Sequence, residues 1–190
     1  TDDKVLASWN GLMIAGLVRT AEALGDAGGP YADAAVRAAR FVLGWMRTPS
    51  GGLYRSFRLG RATVEAPLED HAFFVHALLT LAACRPAEGA WLAAARDLAE
   101  HAERTFGDGQ GGYFDTAAGR EDLFVRARTL HDGATPSGVG VVLHNLLDLH
   151  RLTGEASWLD RAARLLTALS GGIDAAPVGA VNAARAVLRA

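Results

Sequence analysis

Three short blocks of the chain collect the polar side chains that chemistry would need. The first holds Asp2, Asp3, Lys4, Trp9 and Asn10, the second Glu69, Asp70 and His71, and the third His131, Asp132, Thr135 and Ser137. Two carboxyl groups about 6.5–9.5 Å apart can hydrolyse a glycosidic bond with inversion, one as acid and one as base. Asp70 or Glu69 with Asp132 is the candidate for such a pair. Epimerisation instead needs an acid and a base that titrate near neutrality, a task for His71 and His131. Residue types alone do not choose between these catalytic readings of Asp70, His71, His131 and Asp132. Binding a polyhydroxylated substrate would add a planar apolar face, Trp9, and hydrogen-bonding partners in Asp3, Lys4, Asn10, Glu69, Thr135 and Ser137. The bland alternative is that Asp3, Glu69, Asp70, Thr135 and Ser137 cap helix N-termini, where a side-chain oxygen satisfies free backbone N–H groups.

Other motifs fail on context. Gly107-x-Gly109-x-x-Gly112 follows a helical run and precedes a short strand-like one, the reverse of a dinucleotide-binding turn. Asp108, Gln110 and Gly112 begin like a calcium loop, but Gly119 stands where the twelfth-position Glu belongs, so a turn is expected. The six histidines form no His-Glu-x-x-His, and Ser137 lies outside any Gly-x-Ser-x-Gly. No metal and no cofactor are expected. His144 can approach Asp148 one helical turn later. The arginines Arg55, Arg58, Arg61, Arg126 and Arg128 fall on connections and are read as solvated loop charges. Cys84 is expected as a buried thiol in Ala/Leu-rich surroundings.

The elements that would position these blocks are helical. Apolar residues recur at helical spacing over about 8–25, 31–47, 69–84, 90–106, 137–153, 156–170 and 177–189, with ends uncertain by about 2–4 residues. Gly25 and Gly154 stand at expected helix ends, and Pro30 and Pro136 at expected starts. Short strands are expected at Leu53–Phe57, turning at Leu59-Gly60-Arg61, and more weakly at Tyr113–Asp115 and Leu123–Arg126, as small hairpins and not as a sheet. The Gly-Gly pairs at 51–52, 111–112 and 171–172 recur every 60 residues. An aromatic residue, Tyr31, Trp91 or Trp158, opens the helical run before each. The unit is therefore a helix, a short turn, a second helix and a long connection. Such hairpins must stack to bury their apolar faces, as a solenoid or as a ring with inner and outer helices. A ring would gather the long connections at one mouth.

The blocks Asp2–Met13, Leu68–Phe73 and His131–Gly138 resemble, in order and spacing, the spermatogenesis-associated thioredoxin-like protein family over nearly the whole chain. That resemblance implies an (α/α)-barrel region similar to six-hairpin glycosidases and N-acylglucosamine 2-epimerases, following a thioredoxin-like domain that this chain lacks. It implies a carbohydrate-related domain, epimerase- or glycosidase-like, with a saccharide ligand, or else a non-catalytic helical scaffold for the thioredoxin-like partner domain. Where the family usually reads Glu-Asp-Tyr, this chain has Glu69-Asp70-His71. About seven helices amount to half of a twelve-helix ring. The expected fold is an all-α partial toroid of about three hairpins plus one helix, in one domain over 1–190. Opened edges would be covered by a further segment, by a second copy in a homodimer, or by collapse into a compact bundle. The fragment alone is expected to be inactive.

Composition narrows the partners. Of 190 residues, 50% are hydrophobic, enough for a core, and 19 basic against 21 acidic residues leave no basic excess for nucleic acid. No apolar run reaches the roughly 20 residues of a membrane span, and no signal peptide opens the chain, which suggests a cytoplasmic protein. A start at Thr1 without methionine suggests a longer polypeptide.

Overall fold

The computed structural model describes residues 3–119 and 124–189, so Asp2 of the first block and Leu123 of the weakest expected strand lie outside the described residues. The chain divides into two compact units, residues 1–101 and 102–190.

In the first unit β1 (Val5–Leu6) leads into α1 (Ala7–Leu24) and α2 (Gly29–Trp45). Next come β2 (Tyr54–Arg58), β3 (Arg61–Glu65), α3 (Leu68–Cys84) and most of α4 (Ala90–Phe106). On α1 the buried positions Ala7, Gly11, Ile14, Ala15, Val18 and Ala21 form one stripe, and Gly25 ends the helix at φ +54°. Nearly every residue of α3 from Leu68 to Ala82 is buried, the mark of a helix enclosed on all sides. The two meet backbone to backbone. A Cβ placed on Gly11 would stand 2.6 Å from the Phe73 carbonyl carbon and 2.9 Å from the Phe74 nitrogen. Ser8 meets Asp70 and Gly11 meets Phe73 in the same order, so α1 and α3 run parallel and α2 returns the chain between them.

The expected hairpin forms, with Tyr54 opposite Glu65 and Arg58 opposite Arg61. Its turn residues Leu59 and Gly60 both have positive φ, +48° and +76°, as a two-residue type I′ turn requires. It belongs to a sheet after all, because β1 pairs with β2 in the order β1-β2-β3. A two-residue strand leaves no alternation in the sequence to read.

The second unit holds the end of α4, a long connection, α5 (Gly138–Thr153) and α6 (Ala156–Ala175). A 3-10 turn at Pro177–Ala180 and α7 (Val181–Val187) complete it, where the sequence suggested one helix over 177–189.

The 60-residue repeat is real for two of its three marks. In the first, Thr48 N–H donates to Gly52 O (3.0 Å), Gly52 N–H to Thr48 Oγ1 (2.9 Å), and Tyr54 N–H to Met46 O (2.7 Å). In the second, Asp108 N–H donates to Gly112 O (3.0 Å), Gly112 N–H to Asp108 Oδ1 (2.9 Å), and Phe114 N–H to Phe106 O (2.9 Å). Gly51 at φ +90° and Gly111 at φ +98° occupy the same left-handed position. The third pair, Gly171-Gly172, lies inside α6 instead. A Cβ on Gly172 would come within 2.7 Å of Leu130 Cδ2, so this glycine makes room for a side chain and does not turn the chain.

Two weaker expectations fail. Tyr113 makes a single bridge with Gly107 and Asp115 N–H donates to Ala127 O, without a strand at Tyr113–Asp115. No strand forms over Phe124–Arg126 either. That connection is held by side chains: the Arg126 and Arg128 guanidinium groups lie 3.9 and 4.1 Å from the centre of the Phe114 ring. Cys84, at the end of α3, is half-buried and not enclosed. No helix is long and apolar enough to cross a membrane among the described residues.

Candidate functional site

The first unit brings the opening turns of α1 and α3 together beside the sheet. Asp70, buried in the first turn of α3, accepts a hydrogen bond from Ser8 N–H at 2.8 Å through Oδ1. It thus caps α1, a neighbouring helix, and not the helix on which it sits. Its Oδ2 is enclosed and has no hydrogen-bond partner. Burial pushes the Asp70 carboxyl above the usual carboxylate range, while the Ser8 backbone bond and the nearby Arg55 charge oppose the shift.

His71 is also buried, and both ring nitrogens face backbone groups. Nε2 accepts from Leu53 N–H at 3.1 Å and Nδ1 donates to Pro67 O at 3.0 Å. The ring stacks on His101, with centroids 5.4 Å apart. Burial holds its pKa down to about 4, assisted by His101 and Arg47 and opposed by the Pro67 bond. It is a neutral imidazole that ties the loop before β2 to α3.

The other candidates of this unit are open to solvent. Trp9 is 66% exposed in the first turn of α1, with Met13 one turn on. Asn10 Nδ2 donates to Leu6 O at 2.8 Å. Glu69, beside Asp70, is half-buried, and Lys4 is exposed. Asp3 pairs with Arg58 at 2.5 Å, both about half exposed, where an ion pair contributes little stability.

In the second unit Asp132 satisfies two helix starts at once. Oδ1 accepts from Ser137 N–H and Oδ2 from Asn182 N–H, each at 2.8 Å, and Asp132 N–H donates to Gly179 O at 2.6 Å. His131 is exposed, with its ring against Gly179: a Cβ there would be 2.5 Å from Nδ1. Thr135 is half-buried, and its carbonyl accepts from Gly133 N–H at 3.0 Å.

The residues expected as caps do not cap the helices they begin. Ser137 occupies the N-cap of α5 without a side-chain bond, its Oγ buried and unpartnered, and α1 and α3 also start without a side-chain cap of their own. Asp70 caps a helix 62 residues away and Asp132 one 50 residues away, bonds that a local reading of the chain cannot see, while the bond from Ser137 N–H to Asp132 spans only five residues.

Residues that the sequence reading missed complete these arrangements. Ser8, Gly11 and Asn182 supply the approaches and N–H groups around Asp70 and Asp132. Only Gly11, a glycine inside a helical pattern, carried a signal. Two of the expected loop charges are paired, Arg58 with Asp3 and Arg128 with Asp108 at 2.6 Å. Arg126 donates to Thr116 O.

No protein-family model matches the chain. Spermatogenesis-associated protein 20 of Homo sapiens is 38% identical over 98% of this chain, and that of Mus musculus is 39% identical over 93%. The chain spans 25% and 23% of those proteins, about a quarter of their length. Among solved structures, cellobiose 2-epimerase from Spirochaeta thermophila matches 87% of this chain with a TM-score of 0.67 and 19% identity. A GH76 α-mannanase from Bacteroides thetaiotaomicron matches 89% at TM-score 0.71 and 15% identity, and a D-mannose isomerase 86% at 0.66 and 16%. The chain covers 43%, 45% and 40% of those three. At such identities the likeness is one of fold: an all-α, partial (α/α) barrel with a small three-stranded sheet.

Proposed function

Because the chain is a sequence relative of one quarter of spermatogenesis-associated protein 20 and folds as part of an (α/α) barrel, we propose that it is the saccharide-contacting segment of a larger carbohydrate-related domain. The observation that carries this reading is Trp9, an indole two-thirds exposed where the first turns of α1 and α3 meet. An exposed indole offers a planar stacking surface, and Asn10, its neighbour in the chain, and Glu69, the neighbour of Asp70, are the candidate hydrogen-bonding partners of this end of the unit, the combination that a pyranose ring requires. In this reading Asp70 and His71 are positioning residues. Their polar atoms hold the Ser8 and Leu53 N–H groups, and so the wall on which Trp9 stands.

Titration calorimetry of the chain with mannose and with cellobiose tests the proposal. Binding of either sugar, lost in Trp9→Ala while the thermal midpoint stays put, is expected. Equal affinity in Trp9→Ala, or no binding of either sugar, removes it. A specific observation favours a second reading, a non-catalytic scaffold: Asp70 and Asp132 both spend carboxylate oxygens on helix N–H groups. On that reading Asp132→Ala lowers stability and no variant of the blocks changes sugar binding.

A further inference from the structure

The last helix of the second unit is fastened in an unusual way. Its buried side chains are Ala183 and Ala186, with Ala180 of the preceding turn, and these bury little apolar surface, while Val178 before the helix and Leu188 after it are 87% and 88% exposed. What holds it is polar, and it comes from α5 and from the segment just before it. At the start of α7, Asp132 Oδ2 accepts from Asn182 N–H (2.8 Å) and His144 Nε2 donates to Asn182 O (2.8 Å). Beyond its end, the Arg189 guanidinium donates to His144 Nδ1 (2.7 Å) and to Asp148 Oδ1 (2.5 Å), while Arg151 approaches the same Asp148 oxygen at 3.5 Å. Gly140 lets the two helices close up: a Cβ there would stand 2.9 Å from Asn182 Nδ2 and 3.3 Å from Ala183 N.

One imidazole therefore serves both ends of this strap, and only when neutral. With its proton on Nε2 it donates to Asn182 O and leaves the Nδ1 lone pair for Arg189. We propose that α7 is a pH-gated strap, latched through His144 between Asn182 and Arg189 and released when a proton occupies Nδ1. A protonated ring can no longer accept from Arg189 and stands as a like charge against it. The charged groups facing the ring are Asp148 on its own helix, Arg185 from α7 and Arg189 just beyond its end. Burial, with those two arginines, lowers the affinity of the ring for a proton, and the Asn182 bond and Asp148 oppose. By linkage, a ring that binds protons more weakly when latched takes one up on release, so acid favours the open form. Release frees Asp132 Oδ2 from Asn182 and lifts Gly179 from the His131 ring. The strap stands on this geometry whether or not the chain binds a sugar.

Backbone amide exchange of the chain tests it. After correction for the intrinsic pH dependence of exchange, protection of the amides at 183–187 should fall between pH 7.5 and pH 5, while that of 141–149 in α5 stays level. His144→Gln keeps one donor and one acceptor but cannot be charged, and it should hold its protection at pH 5. Arg189→Ala should lower protection already at pH 7.5 and flatten its pH dependence. A wild-type strap equally protected at both pH values, or a fall of the same size in His144→Gln, overturns the proposal.

Discussion

His71 makes the stability of the fold depend on pH in a calculable way. In the folded chain its pKa lies at about 4, against 6.5 for the free side chain, because burial, assisted by the nearby His101 and Arg47 and opposed by the Pro67 bond, favours the neutral ring. The unfolded chain therefore binds more protons between these two values. Stability contributed by the neutral ring is complete above about pH 6.5 and drains away as the pH falls toward about 4. From the two pKa values the loss is about 1.4 kcal/mol at pH 5.5 and about 2.5 kcal/mol at pH 4.5. Other groups titrate too. The raised pKa of neighbouring Asp70 acts with opposite sign, adding stability as the pH drops through its folded value. A difference measurement removes them: urea unfolding of wild type and His71→Gln at pH 7.5, 5.5 and 4.5, with the variant subtracted at each pH. The advantage of wild type should shrink by about 2.5 kcal/mol from pH 7.5 to pH 4.5. An advantage that stays constant across this range would refute the assignment of a neutral, backbone-bonded ring.

Two further substitutions probe the helix contacts. Gly11→Ala places a methyl group 2.6 Å from backbone that cannot step aside, so it should lower the urea midpoint by the equivalent of about 1–3 kcal/mol, as overpacking does. Gly16→Ala on the open side of the same helix, where a Cβ meets nothing within 4 Å, should instead be neutral or slightly stabilising, and the pair is read in one denaturation series. Asp132→Ala strands the Ser137 and Asn182 N–H groups and should cost about 1–3 kcal/mol, with the amides of α7 losing protection before those of α5.

Much of this architecture was written in local pattern. Each helix from α1 to α6 starts within two residues of where apolar spacing placed it, because periodicity and the punctuation of Gly25, Pro30 and Gly154 are short-range signals. The hairpin was legible for the same reason, Leu59-Gly60 being the turn itself. What escaped depends on partners distant in sequence. β1 exists only because Val5 and Leu6 lie against Phe57 and Ser56, and Gly171-Gly172 looks like a loop until Leu130 explains it. The candidate site was legible in its membership and not in its bonding. Asp70 looked like a cap for α3, and it does cap a helix, but it does so at Ser8 in the first turn of α1, 62 residues earlier. Composition cannot report that both nitrogens of His71 are taken by backbone groups, or that Trp9 is left in the open.

That open indole is the most direct point of attack on the account. Nitrogen-15 labelling of the tryptophans gives Trp9 its own indole N–H signal, beside that of Trp158, which is 2% exposed. Addition of mannose or cellobiose should shift the Trp9 signal along a saturating curve and leave Trp158 in place. A Trp9 signal that stays still, or that drifts in proportion to sugar without saturating and in step with Trp158, would contradict a saccharide wall at the joined ends of α1 and α3.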